Sequence, residues 1–215
     1  MTNLFLKNSK NISILLIILY GVGLGGFFFQ FSSYFVQLTP IQLLTSLFFV
    51  LAAHHSWKVK TVLFCIFCAV LGFLIEVVGV ATGDIFGNYA YGSVLGLKFH
   101  NTPLIIGINW LLITYCSGVT VNELCGEKIS WWKKSFLGAV LMVSLDILIE
   151  PTAMKTDMWH WANNIVPLKN YTSWFIVSLV MQILFQQLVG NTKNKIGYLV
   201  FILQFLFFGC LYFFH

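Results

Sequence analysis

The sequence predicts an all-α bundle that crosses a membrane about seven times. Three observations predict it. Residues 11–57 contain no Asp, Glu, Lys or Arg, a stretch long enough for two bilayer crossings at about 20 residues each. Charged residues make up 9% of the chain and hydrophobic ones 59%, whereas an ordinary soluble domain is about a quarter charged. The apolar runs do not alternate with polar positions, as the strands of a membrane β-barrel would.

The apolar runs place spans at residues 12–31, 40–53, 61–81, 103–121, 135–150, 172–189 and 196–214. The start, "NLFLKNSKN" and an apolar run, resembles a signal peptide. No small-residue cleavage site follows, so it is read as a retained first helix. The second span is short enough to be a re-entrant piece, and lysine bookkeeping decides between the two. All twelve basic residues are Lys. With seven crossings, Lys7, Lys10, Lys58, Lys60, Lys128, Lys133, Lys134, Lys193 and Lys195 share one side, and Lys98, Lys155 and Lys169 the other. Without the second crossing the split is five against seven. The positive-inside rule therefore favours seven crossings and a cytoplasmic N-terminus, as a multi-pass protein of the plasma (inner) membrane. The lysines lie in short loops between apolar spans, so the net charge of +5 reflects topology rather than a nucleic-acid partner.

No repeat or low-complexity linker divides the chain, which reads as a single membrane domain, 1–215. The connections 82–102 and 151–171 are long, and rich in Trp, Tyr and Gly. They are expected to fold back over one end of the bundle. Cys65 and Cys68 lie in the apolar run "VLFCIFCAVLGF" and read as small buried side chains rather than a redox or zinc pair. His54 and His55 lack a matching His on a facing helix and read as interfacial. Gly21 and Gly25 offer a close-contact face, within the bundle or toward a second copy of the chain.

The seven acids are distributed unevenly. Glu123 and Glu127 lie among lysines and read as solvated. Glu76, Asp84, Asp146, Glu150 and Asp157 all fall at the outer ends of the third and fifth spans or in the two long loops. Gly72, Glu76, Gly79 and Gly83 follow at helical offsets of four, three and four. They share one face, whose small residues permit close helix contact, so Glu76 is expected to face the bundle interior. Asp146 and Glu150 are i and i+4 and also share a face. A carboxylate at membrane depth costs about 2.5 kcal/mol or more on insertion scales and by default marks a functional pocket. A buried structural hydrogen-bond network is the alternative. Near these acids stand Tyr89, Tyr91, Asn109, Trp110, Trp159, His160, Trp161, Asn170 and Trp174. An interfacial aromatic belt accounts for Trp131 and Trp132, but accounts poorly for "DMWHWANN", where acid, His and amides are interleaved with Trp.

Carboxyls at the mouth of an aromatic pocket suit acid–base chemistry on a lipophilic substrate. A carboxyl kept neutral by apolar surroundings can donate a proton. Protonation of a trisubstituted alkene gives a tertiary cation, which aromatic faces stabilise. An ionised carboxylate can then activate water. Glu76 or Asp146 is the candidate proton donor, and Glu150 or Asp84 the candidate base. This chemistry needs no redox cofactor, and no metal-ligand cluster is evident; Asp146-x-x-x-Glu150 only half resembles a magnesium-binding pair, and the basic residues a diphosphate would need lie on the other side.

The segments "EVVGVATGDIFGNYAYGSVLG", "TPLIIGINW", "SLDILIEP" and "MWHWANNIVPLKNYTSW" resemble the membrane carotenoid hydratases, such as γ-carotene 1′,2′-hydratases and bisanhydrobacterioruberin hydratases. The matching positions are Glu76, Thr82-Gly83, Phe86-Gly87, Tyr89, Tyr91, Pro103, Trp110, Asp146, Glu150-Pro151, Trp159, Trp161, Asn170 and Trp174. Two features depart from the pattern. Glu150 stands where the family has a second Asp, and the segment between Trp161 and Asn170 is shortened and poor in Gly and Tyr. The resemblance implies water addition to the acyclic end of a carotenoid, giving a tertiary 1′-hydroxy group. Its rivals are a membrane carotenoid cyclase, which starts with the same protonation, and a non-enzymatic polyene carrier.

Overall fold

The computed structural model describes residues 9–29 and 32–214. Helices stand at all seven predicted positions. They are α1 (Ser9–Phe28), α3 (Thr39–Ala52), α4 (Val59–Thr82), α5 (Ile105–Cys125), α6 (Trp131–Lys155), α7 (Leu168–Leu188) and α8 (Lys195–Phe214), with a further short helix α2 (Ser32–Gln37). Lys7 and the last two residues of the predicted first span lie outside the described residues. That span is corrected: α1 stops at Phe28, and α2 begins at Ser32. Five helices, α1, α4, α5, α6 and α8, are long and apolar enough to cross a membrane by length and composition. α3, with 14 residues, is shorter, about 21 Å at 1.5 Å per residue. The chain is a multi-pass helical membrane protein.

Helix α5 is the axis. Nearly every side chain from Ile105 to Asn122 is buried, with α4, α6, α7, α8 and α3 packed around it. A helix apolar all round belongs in a core, and this one has no solvent face to mark it. Close approach of α4 to α5 depends on glycine. A Cβ at Gly72 would collide with Cβ of Trp110, and one at Gly107 would stand 2.6 Å from the Ala69 carbonyl oxygen. Gly72→Ala should therefore destabilise the fold by about 1–3 kcal/mol, the cost of overpacking a tight core, read as a lower midpoint in denaturant. Gly21 and Gly25 have nothing within 4 Å of where a Cβ would stand among the described residues, so the expected close-contact face has no partner there.

The two long connections fold back over the bundle as short antiparallel ribbons. β1 (Tyr89–Tyr91) pairs with β4 (Trp159–Trp161), in the register Tyr89 to Trp161, Ala90 to His160 and Tyr91 to Trp159. β2 (Lys98–Phe99) pairs with β3 (Thr102–Pro103). The turn out of α4 is made by Gly83, whose φ of 69° is the left-handed cap that glycine adopts at least cost. Helix α6 runs through Pro151 to Lys155, past the predicted end at residue 150. Proline removes one backbone hydrogen bond, but burial of Thr152 and Ala153 holds the last turn in place.

Candidate functional site

Three acidic side chains converge beneath the first ribbon. Glu76 is 3% exposed, and Asp146 and Glu150 are 2% exposed each, so the expected inward-facing acidic faces of α4 and α6 are observed. Strand alternation explains what surrounds them. In a strand, residues i and i+2 point to the same side, so Tyr89 and Tyr91 of β1 face the bundle together, as do Trp159 and Trp161 of β4. The hydroxyls of Tyr89 and Tyr91 donate to Glu76 Oε2 at 2.6 and 2.8 Å. Trp110 Nε1 donates to Oε1 of the same carboxyl at 3.0 Å. Glu150 Oε2 accepts from Trp159 Nε1 at 2.9 Å and Trp161 Nε1 at 2.7 Å. Asn170 Nδ2, from the first turn of α7, reaches both Asp146 Oδ2 at 3.1 Å and Glu150 Oε1 at 3.2 Å.

The three carboxyls are not equivalent. Glu76 and Glu150 each accept three hydrogen bonds. Asp146 accepts one, and its Oδ1 takes none among the described residues. Tyr89 and Tyr91 titrate well above the ordinary phenol value, first because they are buried and then because Glu76 lies beside them. Their O–H groups therefore remain donors at any working pH.

The carboxyls line a cavity of about 30 Å³ together with Phe86, Tyr89, Tyr91, Ile106, Asn109, Trp110, Trp159, Trp161, Asn170 and Trp174. That volume matches about one water. Trp110 and Trp174 stack at 4.1 Å with planes 19° apart, and Tyr89 lies against Trp161 at 4.9 Å. The chamber thus holds carboxyls, a water-sized space and aromatic faces, the components needed to protonate an apolar substrate and support a cation.

Two candidates from the sequence are not brought to it. Asp84 lies just beyond the Gly83 cap, exposed, with its backbone N–H on Thr82 Oγ1. His160 occupies the outward position of the Trp-His-Trp alternation, opposite Ala90. It instead hydrogen-bonds Asp157 at 2.7 Å. Phe86 and Ile106 line the cavity without having been singled out as site residues; Phe86 had appeared only within the Phe-Gly motif, and an apolar residue in an apolar chain carries no signal of its own. His54, expected at an interface, is buried and bonded to Tyr115 Oη at 2.7 Å.

Asp157 braces the two long connections from outside. It accepts from Ser93 N, Ser93 Oγ and His160 Nε2. These hydrogen bonds, that of His160 first, lower its pKa from 3.8 to about 2. The folded value lies below the unfolded one, so the brace stabilises fully above the ordinary value and is lost as pH falls through about 2. Thermal melts between about pH 5 and pH 2 should lose less stability in Asp157→Asn than in wild type. The difference should be small, because the side chain is half-exposed and screened by salt.

A family model described as "Carotenoid biosynthesis protein" matches residues 35–214. No curated protein matches the chain, and no solved structure does.

Proposed function

Because the chain belongs to the carotenoid biosynthesis protein family, we propose that it adds water across the terminal C1′–C2′ double bond of an acyclic carotenoid end group. The observation that carries this reading is the clustering of Glu76, Asp146 and Glu150, from two helices, in one aromatic chamber with room for a water. The substrate dissolves in the bilayer and enters from the side, and its end group displaces side chains of the small chamber as it seats.

The hydrogen bonds suggest the roles. An indole N–H can only donate, and the indoles of Trp110, Trp159 and Trp161 already fill acceptor positions on Glu76 and Glu150. Asp146 Oδ1 takes no hydrogen bond among the described residues and has the most room for a proton, while Glu150 keeps one open acceptor site on Oε1, which holds only the bond from Asn170. Asp146 gives that proton to C2′, leaving a tertiary cation at C1′ against the Trp110 and Trp174 rings. Water bonds to C1′, and Glu150 takes the proton that water releases. Glu76 remains a fixed negative charge facing the cation. Proton passage from Glu150 to Asp146 through a water in the chamber that both carboxyls line resets the site, so each turnover consumes one water and no net proton.

We place the protein in the plasma (inner) membrane with seven crossings and a cytoplasmic N-terminus. The supports are helices at seven positions and the nine-to-three lysine split. A C-terminal reporter active only in the cytoplasm would contradict that topology. The reaction is tested by expressing the chain in a host that makes lycopene or γ-carotene and weighing the pigments. Hydration makes the pigment heavier by one water. An unchanged mass with a new ring points to cyclisation, and an unaltered pigment to a carrier.

A further inference from the structure

The cavity is separated from the opposite, lysine-bearing end of the bundle by the length of α7, and a row of mostly polar side chains along α7 spans this distance. Asn170, Trp174, Ser178, Gln182 and Gln186 follow at offsets of four. All but Trp174 are buried, in a chain that is 59% hydrophobic. Each step of four keeps successive side chains adjacent but turns them about 40°, so the row winds around α7 as a ridge. Facing this row, α5 presents Thr114, Ser117 and Asn122, and α6 presents Ser135. Gln182 Nε2 donates to the Thr114 carbonyl at 2.9 Å and to Ser117 Oγ at 2.6 Å. Ser135 Oγ donates to the Gln182 carbonyl at 3.3 Å. At the lysine end, Gln186 Nε2 donates to Asn122 Oδ1 at 3.3 Å, while Lys134 Nζ donates to Asn191 at 2.7 Å.

Hydrogen bonding between helices accounts for most of these groups, but not for two of them. Ser178 Oγ and Gln182 Oε1 are both buried and have no hydrogen-bond partner among the described residues; the only other such side-chain atom is Gln204 Oε1. Ser178 and Gln182 are 0% exposed and stand one turn apart, about 6 Å along the axis. A water making two hydrogen bonds of about 2.8 Å at its tetrahedral angle bridges atoms about 4.6 Å apart, a separation that side chains one turn apart can adopt. It would donate to Gln182 Oε1 and exchange a hydrogen bond with the Ser178 hydroxyl, the kind of site that ordered buried water occupies.

We propose that water is bound between Ser178 and Gln182, and that the polar row along α7 is the route by which water reaches the carboxyl chamber from the lysine-rich end. The routing rests on the hydration reading; the bound water does not. A hydration site enclosed by hydrocarbon and by its own lipophilic substrate needs a supply of water that does not share the substrate's entrance.

The test uses the full-length protein in lipid vesicles. X-ray radiolysis in ¹⁸O-labelled water oxidises buried methionines only where water is bound beside them. The sulfurs of Met142 and Met181 lie beside this row, that of Met142 3.4 Å from Gln182 Nε2 and that of Met181 accepting from Thr114 Oγ1 at 3.5 Å, and both residues are 0% exposed. The expected result is ¹⁸O uptake at Met142 or Met181 in wild type. Ser178→Thr should retain it, and Ser178→Val, equal in shape but without the hydroxyl, should lose it. Hydration by the Val variant should also fall about tenfold below that of the Thr variant, the scale of one lost water-mediated contact, without a matching change in melting temperature. Absence of label from both methionines in wild type overturns the proposal, as does equal behaviour of the Thr and Val variants. The labelling requires no turnover, so it decides whether water is bound even if the reaction proves to be a different one.

Discussion

An Asp146→Asn protein is expected to hydrate its carotenoid at least about a hundredfold more slowly than wild type, the low end for loss of a general acid. It should still insert and melt normally. The amide oxygen can keep the hydrogen bond from Asn170 that Asp146 Oδ2 accepts, and the amide nitrogen then stands where Oδ1 takes no hydrogen bond. The fold is served, but the transferable proton is gone. Glu76→Gln should lose a comparable factor for a different reason, because it removes the negative charge facing the cation. Its structure also survives. The two tyrosine hydroxyls that donate to Glu76 can turn and accept from an amide, and the amide oxygen keeps the Trp110 indole. Initial rates of pigment hydration by both variants in vesicles measure the effect. Near wild-type rates in correctly inserted protein would make these acids structural and return the polyene-carrier reading to the front.

The largest stability effect is expected at Trp110. It is fully buried, stacks on Trp174, fills the space left by Gly72 and bonds Glu76. Trp110→Ala leaves a cavity in the axis of the bundle and should cost about 3–5 kcal/mol, with a further loss from the donor taken from Glu76. Trp131, half-exposed near the other end of the bundle, should change stability by no more than about 0.5 kcal/mol when replaced by Ala. Paired denaturant titrations in one detergent give both numbers, and equal effects would mean that the Trp110 packing described above is wrong.

The helices were legible because membrane spans need long apolar runs, and the sequence has one at each of the seven positions. The inward face of α4 was legible because glycines flank Glu76 at helical spacing. The roof of the site was legible only in part. Tyr89-Ala90-Tyr91 and Trp159-His160-Trp161 are period-two patterns, and read as strands they put the aromatics on one side and His160 on the other. Their composition points equally to an aromatic belt, and three-residue strands carry too little pattern to choose between the two. Asp84 was grouped with the other acids because its loop lies at the same end of the bundle, but the left-handed cap at Gly83 ends the helix and turns the chain outward before it. Which carboxyl has room for a proton depends on three indoles and two phenols brought from other segments, and no single segment records that.

The most direct measurement is made on the purified protein in lipid vesicles, supplied with γ-carotene in heavy-oxygen deuterated water. Proton donation followed by water capture predicts a product in which C2′ carries one deuterium and C1′ carries one hydroxyl containing the heavy oxygen. A product with deuterium but no heavy oxygen, at a mass otherwise unchanged from the substrate, would contradict hydration and mean that the cation closes on itself; pigment with neither isotope would mean that these carboxyls do no chemistry on it.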